Sequence, residues 1–223
     1  MTLKQEESFL VQALQKFSEE PQVEASEILA HVLKINRNQL YFKRNEKISK
    51  FLHLKILKIL RLRKKGLPLQ YALGSWEFYS LPFKVGRGVL IPRQDTELVV
   101  DLLLEHLSDK TNPLVFDLCA GSGAIGIAAK KNCPNARVVM VEKSIKAYKY
   151  LTKNIKLNEI NALALCMDIK KLKPKEKADI IVSNPPYITK KAMGELQKEV
   201  TFEPEMALYG GEDGLDFYKF ITR

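Results

Sequence analysis

The chain has 223 residues, 46% of them apolar, and a formal net charge of +10, enough to bury one or two hydrophobic cores. No stretch is long and apolar enough to span a bilayer, and Met1-Thr2-Leu3-Lys4-Gln5-Glu6-Glu7 carries acids where a secretory leader needs an apolar run, so a cytoplasmic protein is expected. Cys119, Cys133 and Cys166 are an odd number without metal-ligand spacing, and His31, His53 and His106 are scattered, so neither a disulfide framework nor a metal site is expected.

The first 70 residues carry helical periodicity. Ala25, Ile28, Leu29, Val32 and Leu33 recur at the three-and-four spacing of an amphipathic face, and so do Leu52, Ile56, Ile59 and Leu60. Pro21 marks a helix start, with Ser18 or Glu19-Glu20 as caps. Residues 34–65 hold 12 Lys/Arg against one acid, Glu46, so this stretch carries +11 and the rest of the chain sums to −1. Such a basic helical module suits an acidic partner surface or RNA, and Arg61, Arg63 and Lys64 are its expected steering charges. Alternating aromatic and apolar residues around Ser80 and Gly86 then predict a β-hairpin. The expected division is a helical domain over 1–70, a hairpin linker over 71–93 and a third domain over 94–223.

After Pro92 the pattern alternates strand and helix, the signature of an α/β domain. Asp95-Thr96-Glu97 predicts a helix cap, with Leu98, Val99, Leu102 and Leu103 on the buried side. Strands are predicted near 114–118, 137–142, 162–167 and 179–183, and a last helix at 215–222. The first strand, with Asp117 near its end, runs into Cys119-Ala120-Gly121-Ser122-Gly123 and a small-residue helix, where a nucleotide-like ligand can approach the backbone. Cys119 has no adjacent His and reads as a structural residue. The second strand ends in Glu142, 19 residues after Gly123, placed to take both hydroxyls of a ribose. Asp168, after the third strand, is placed to meet an adenine amino group. The fourth ends in Asn184-Pro185-Pro186-Tyr187. A planar amide or arylamine nitrogen is a poor nucleophile because its lone pair is delocalised. The Asn184 side-chain oxygen and the Pro185 carbonyl can accept its two N–H bonds, and Tyr187 can pack on its face. The prolines fix the loop, so little entropy is lost when substrate arrives.

Taken together, these motifs resemble the HemK/PrmC protein-glutamine methyltransferases. Leu67-Pro68-Leu69-Gln70-Tyr71-Ala72-Leu73-Gly74, Trp76-Glu77-Phe78-Tyr79 and Leu90-Ile91-Pro92-Arg93-Gln94-Asp95-Thr96-Glu97 match segments of that family before its catalytic domain. Glu203-Pro204, Ala207-Leu208 and the stretch 210–218 match the segment after its catalytic loop. The resemblance implies a class I, Rossmann-like domain that uses S-adenosylmethionine, without a metal, to methylate the glutamine amide of the Gly-Gly-Gln loop in peptide chain release factors. It implies cofactor contacts from Asp117, Cys119, Ala120, Gly121, Ser122, Gly123, Glu142, Asp168, Ile169 and Asn184. Asn184, Pro185, Pro186 and Tyr187 would hold the glutamine, with Asn184, Pro185 and Tyr187 catalytic. The helical module would grip the release factor, its basic stretch lying near the ribosome or RNA, and a monomer is expected.

The family fold has seven strands and only four are read here, with 36 residues after Tyr187. The missing C-terminal strands imply a chain that ends partway through the domain, or a partner that completes it, and an exposed apolar sheet edge. Two other readings follow. The same tetrapeptide suits a nucleic-acid adenine or guanine amino-methyltransferase acting on a flipped base, and the absent strands suit an inactive remnant that binds cofactor or release factor.

Overall fold

The computed structural model describes residues 1–223, which form two compact units, Met1–Leu73 and Gly74–Arg223. The first is wholly helical: α1 (Leu3–Leu14), α2 (Pro21–Leu33), α3 (Arg37–Phe42), α4 (Lys50–Lys64) and α5 (Leu69–Leu73). Its core is built from Leu10, Leu14, Ala25, Ile28, Leu29 and Ile56, all sealed from solvent. Helix α1 opens on a capping box, in which Thr2 and Gln5 exchange side-chain-to-backbone bonds. Helix α2 takes Pro21 at its first turn with no side-chain cap; Ser18 bonds instead to the Glu20 N–H and the Glu24 carboxylate.

Two charged pairs lie inside this unit. The carboxylate of Glu6, fully buried, meets His53 Nδ1 at 2.9 Å. Arg63 is only 2% exposed. It donates to both oxygens of Glu24 at 2.9 and 2.6 Å, and to the Leu67 carbonyl at 2.5 Å. The expectation that Arg63 is a surface steering charge is therefore wrong: it is an internal strut between α2 and the turn after α4. The exposed cations of α4 are Lys50, Lys55, Lys58, Arg61 and Lys64, on the face opposite Ile56, Ile59 and Leu60.

The second unit begins with the hairpin of β1 (Ser75–Phe78) and β2 (Leu81–Lys84), whose inward rings Phe78 and Phe83 meet edge-on at 5.9 Å. Its two-residue turn places Tyr79 and Ser80 in the left-handed region, at φ 51° and 58°. A tight hairpin turn needs this hand, and Glu97 fixes it by accepting the Tyr79 N–H at 2.7 Å. The hairpin belongs to this unit rather than standing apart as a linker. Asn154 accepts from the Lys84 N–H and donates to the Lys84 carbonyl, and Asn158 donates to that of Pro82.

Helix α6 (Glu97–Leu107) buries Val100, Leu103 and Leu107. The predicted face was rotated, because Leu98 and Leu102 are exposed. Beyond it lie β3 (Leu114–Leu118), α7 (Ala124–Asn132), β4 (Arg137–Glu142), α8 (Ile145–Leu157), β5 (Leu163–Cys166), β6 (Ile180–Ser183), a one-turn α9 (Lys190–Met193) and α10 (Asp216–Ile221). The four strands form one parallel sheet in the order β5-β4-β3-β6. On one face Leu114, Phe116, Leu118, Val141 and Ile169 cluster, with Phe217 and Ile221 of α10 packed on them. Asp117 alternates to the other face and accepts the Gly126 N–H of α7. No helix is long and apolar enough to cross a membrane.

Replacing Arg63 with Ala leaves the Glu24 carboxylate without its fork and Leu67 without a donor. We expect a loss of about 3 kcal/mol in the denaturant stability of the helical unit. A loss below about 1 kcal/mol, the range of a surface pair, rules out the strut.

Candidate active site

Chain order runs outward from β3 to β4 and β5, then returns to the opposite side of β3 with β6. The strand order thus reverses between β3 and β6, the position where open α/β sheets bind their ligands. A cavity of about 670 Å³ lies there. Its wall includes Asp117, Cys119, Ala120, Gly121, Ser122, Glu142, Asp168, Ile169, Asn184 and Pro186, each anticipated from sequence. Three anticipated residues are elsewhere. Gly123 begins α7 in the left-handed region, and a Cβ there would lie 2.4 Å from Leu151 and 2.9 Å from Ile127. Pro185 is buried off the wall. Tyr187 is 56% exposed and is not on the cavity wall. The reason lies in the backbone. Ile188 pairs with Leu208 and Gly210, and a Cβ at Gly210 or Gly214 would meet Pro186 or Tyr187 main chain at 2.5 and 2.3 Å.

The glycine loop is held by its neighbours. Asn154 donates to the Ser122 carbonyl at 3.0 Å, and Glu142 accepts the Gly121 N–H through one oxygen and the Ser144 N–H through the other, at 2.8 and 2.6 Å. The Lys143 N–H adds a third backbone donor, which leaves Glu142 part of its acceptor capacity for a ligand. Gly121 has φ +57°, and a Cβ built on it meets nothing within 4 Å, so any side chain there would fill the cavity. Asp168 is more encumbered than its sequence position suggests. Lys143 reaches Oδ2 at 2.9 Å, and the Lys170 N–H reaches Oδ1 at 3.0 Å. The Lys143 ammonium holds the Asp168 carboxyl below its ordinary range.

Burial sets the remaining charges. It pushes the Asp117 carboxyl up to about 7 against the Gly126 N–H bond, with the charge of Glu142 adding to the rise. Glu142 is raised by burial despite its backbone donors. Burial, with the charges of Glu142 and Asp117, pushes the Cys119 thiol up to about 12, which fits a structural residue and not a nucleophile.

Several wall residues, and the buried Glu203 behind them, were not assigned a site role from sequence. Thr96 accepts a hydrogen bond from Asn184 Nδ2 at 3.1 Å, whereas the sequence marked it as a helix cap. Its φ and ψ of −72° and −15° are already helical and it makes no side-chain cap bond. Glu203, buried, takes the Ile91 N–H at 2.9 Å and the Arg93 guanidinium, tying the segments before α6 and after α9 together. Pro204, Met206 and Tyr209 then close the wall. These partners are 112 and 110 residues apart in the chain, so no local pattern announces them.

Residues 3–74 match the PrmC N-terminal domain, and residues 93–206 match the methyltransferase small domain. The release factor glutamine methyltransferase of Thermodesulfovibrio yellowstonii is 44% identical over 202 residues, 89% of this chain and 72% of that protein. The chain belongs to the release factor glutamine methyltransferase family. Enzymes of the same name from Fusobacterium nucleatum and Clostridium acetobutylicum are 41% and 36% identical. The matches cover 91% and 94% of this chain, and 58% and 75% of those two proteins. Among solved structures, the catalytic domain of hMettl16 in complex with the MAT2A 3'UTR hairpin 6 aligns with a TM-score of 0.51 at 14% identity. That alignment covers 77% of this chain and 61% of the hMettl16 chain, a likeness of fold alone. This family member thus has the class I methyltransferase fold that the resemblance implied.

Asp117 gives a test of the site's electrostatics. Its folded pKa, about 7, lies above its ordinary 3.8, so the folded protein keeps a proton there that the unfolded chain releases. This contribution to stability is complete below pH 4 and is lost as pH rises through 7. In Asp117→Asn, whatever its absolute stability, the fall in unfolding free energy between pH 4 and 7.5 should be smaller by up to about 4 kcal/mol. Parallel wild-type and variant curves rule out the buried proton.

Proposed function

We propose that this protein transfers a methyl group from S-adenosylmethionine to the side-chain amide nitrogen of a glutamine in a peptide chain release factor, at the Gly-Gly-Gln loop. The observation that carries this reading is the convergence of an open glycine, two strand-end carboxylates and the amide of Asn184 on one cavity, in a chain 44% identical to an enzyme of that name.

The residues present fit the donor. Leaving aside the buried Asp117, the wall carries Glu142, Asp168, Glu205 and Asp216 against Arg93, Lys143 and Lys170, and Arg93 and Lys143 are already paired to Glu203 and Asp168. That imbalance suits a ligand with a cationic sulfonium and an ammonium. Gly121 leaves backbone open to it, Glu142 would accept from the ribose hydroxyls, and Asp168 with Ile169 would lie against the base. When bound, S-adenosylmethionine supplies a methyl already activated on sulfur.

The chain's own part is positioning. Asn184 accepts an amide N–H through its side-chain oxygen, which holds the nitrogen and favours its pyramidalisation. Pro186 and the 204–209 segment exclude water from the reacting atoms. The helical unit, with 14 Lys/Arg against seven acids, presents Lys55, Lys58 and Arg61 to an acidic partner surface or RNA near the ribosome. We place the protein, as a monomer, in the cytoplasm.

Incubation with labelled S-adenosylmethionine should label a purified release factor and leave its Gly-Gly-Ala mutant unlabelled. Equal labelling of both, or of neither, rejects the reading. Gly121→Val should weaken cofactor binding by about tenfold or more in calorimetry, since its side chain would occupy the cradle. Undiminished affinity would mean that the donor lies elsewhere.

A further inference from the structure

An asparagine amide presents an acceptor and a donor of nearly the same size, and rotation by 180° about its last torsion exchanges them. Only one orientation offers the cavity an acceptor. Asn184 Nδ2 donates to Thr96 Oγ1 at 3.1 Å, while Asn184 Oδ1 receives no bond from the protein and is not sealed from solvent. Both residues line the cavity.

Thr96 is well suited to this use. It is buried, 8% exposed, at the junction of the 3-10 turn Gln94–Thr96 and α6. Its backbone is helical, so its hydroxyl is not spent on the helix N-terminus as an extended capping residue's would be. Its own N–H bonds to the Arg93 carbonyl at 3.0 Å, and Arg93 is held by the buried carboxylate of Glu203. The hydroxyl therefore sits on a fixed backbone, 88 residues before the side chain it meets.

We propose that Thr96 is a positioning residue that holds Asn184 by its Nδ2 end, so that Oδ1 faces the cavity as the acceptor for the NH₂ group of the substrate carboxamide. The hydroxyl can also donate to Oδ1, so the bond fixes the plane of the amide, and the substrate NH₂ selects the form seen here, with Oδ1 left for the cavity. Loss of the bond frees the torsion. The substrate side of this inference rests on the methyltransferase reading above. The orientation of Asn184 does not.

The test uses the full chain and three variants, Thr96→Val, Thr96→Ser and Asn184→Ala. The side-chain amide resonances of Asn184, assigned by their loss in Asn184→Ala, report the bond directly by hydrogen exchange. In wild type and Thr96→Ser they should be protected, and in Thr96→Val they should exchange like those of an exposed asparagine. Methyl transfer should show kcat reduced about tenfold in Thr96→Val and restored in Thr96→Ser, with cofactor Kd and melting temperature near wild type. Unchanged exchange in Thr96→Val overturns the proposal, as does a kcat loss that tracks the melting temperature and is not restored by serine. If wild type transfers no methyl, the functional reading fails, and the exchange data still decide the role of Thr96.

Discussion

Parallel pairing obliges β3, β4, β5 and β6 to release the chain at one edge of the sheet, and the reversal of order between β3 and β6 opens a crevice there. The rest of the site follows from that constraint. Each strand contributes the residue at or just beyond its end: the 119–123 loop, Glu142, Asp168 and Asn184. Their separation in sequence is irrelevant to their meeting in space. The ladder Leu118↔Ser183 sets β3 and β6 in register, and the Ser183 hydroxyl donates to the Leu118 carbonyl at 2.5 Å.

The glycine loop and the strand-end acids depend on one another electrostatically. Glu142 is raised by burial and still accepts backbone N–H groups, so the loop and the carboxylate fix each other before any ligand arrives. Asp117 works one layer deeper, against Gly126, whose missing Cβ lets α7 lie close to Met140 and to the carboxyl itself. A side chain at Gly126 would push the helix off the sheet and the loop with it. The cavity is therefore shaped by close packing behind it as much as by its own lining.

Much of this was legible in the sequence because β3 and β4 are apolar runs ended by glycine or acid, and their pattern is local. Predicted and observed strands agree to within one residue at each end. The failures share a cause. Arg63 looks like one more cation in a basic run because Glu24 lies 39 residues earlier. Leu98 and Leu102 look buried because α6 is apolar on more than one side; its face is set by which residues meet α7, which no local period fixes. The placement of Tyr187 is set in the same way: Gly210 and Gly214 close on the main chain of Pro186 and Tyr187, and the ring is left half in solvent.

The same long-range closure explains why a tetrapeptide after a strand is not by itself a site. Two prolines restrict the backbone of residues 185 and 186, but they exert no control over the side-chain torsion of Asn184. That control comes from Thr96, and the position of Thr96 comes from Arg93 and Ile91 anchored on Glu203, which lies beyond the tetrapeptide in the chain. The segments before α6 and after α9 thus brace one another, and through Thr96 they meet Asn184 just beyond β6. A planar amide must be met by an acceptor of defined direction, and only a group held from outside its own loop has that direction before substrate arrives.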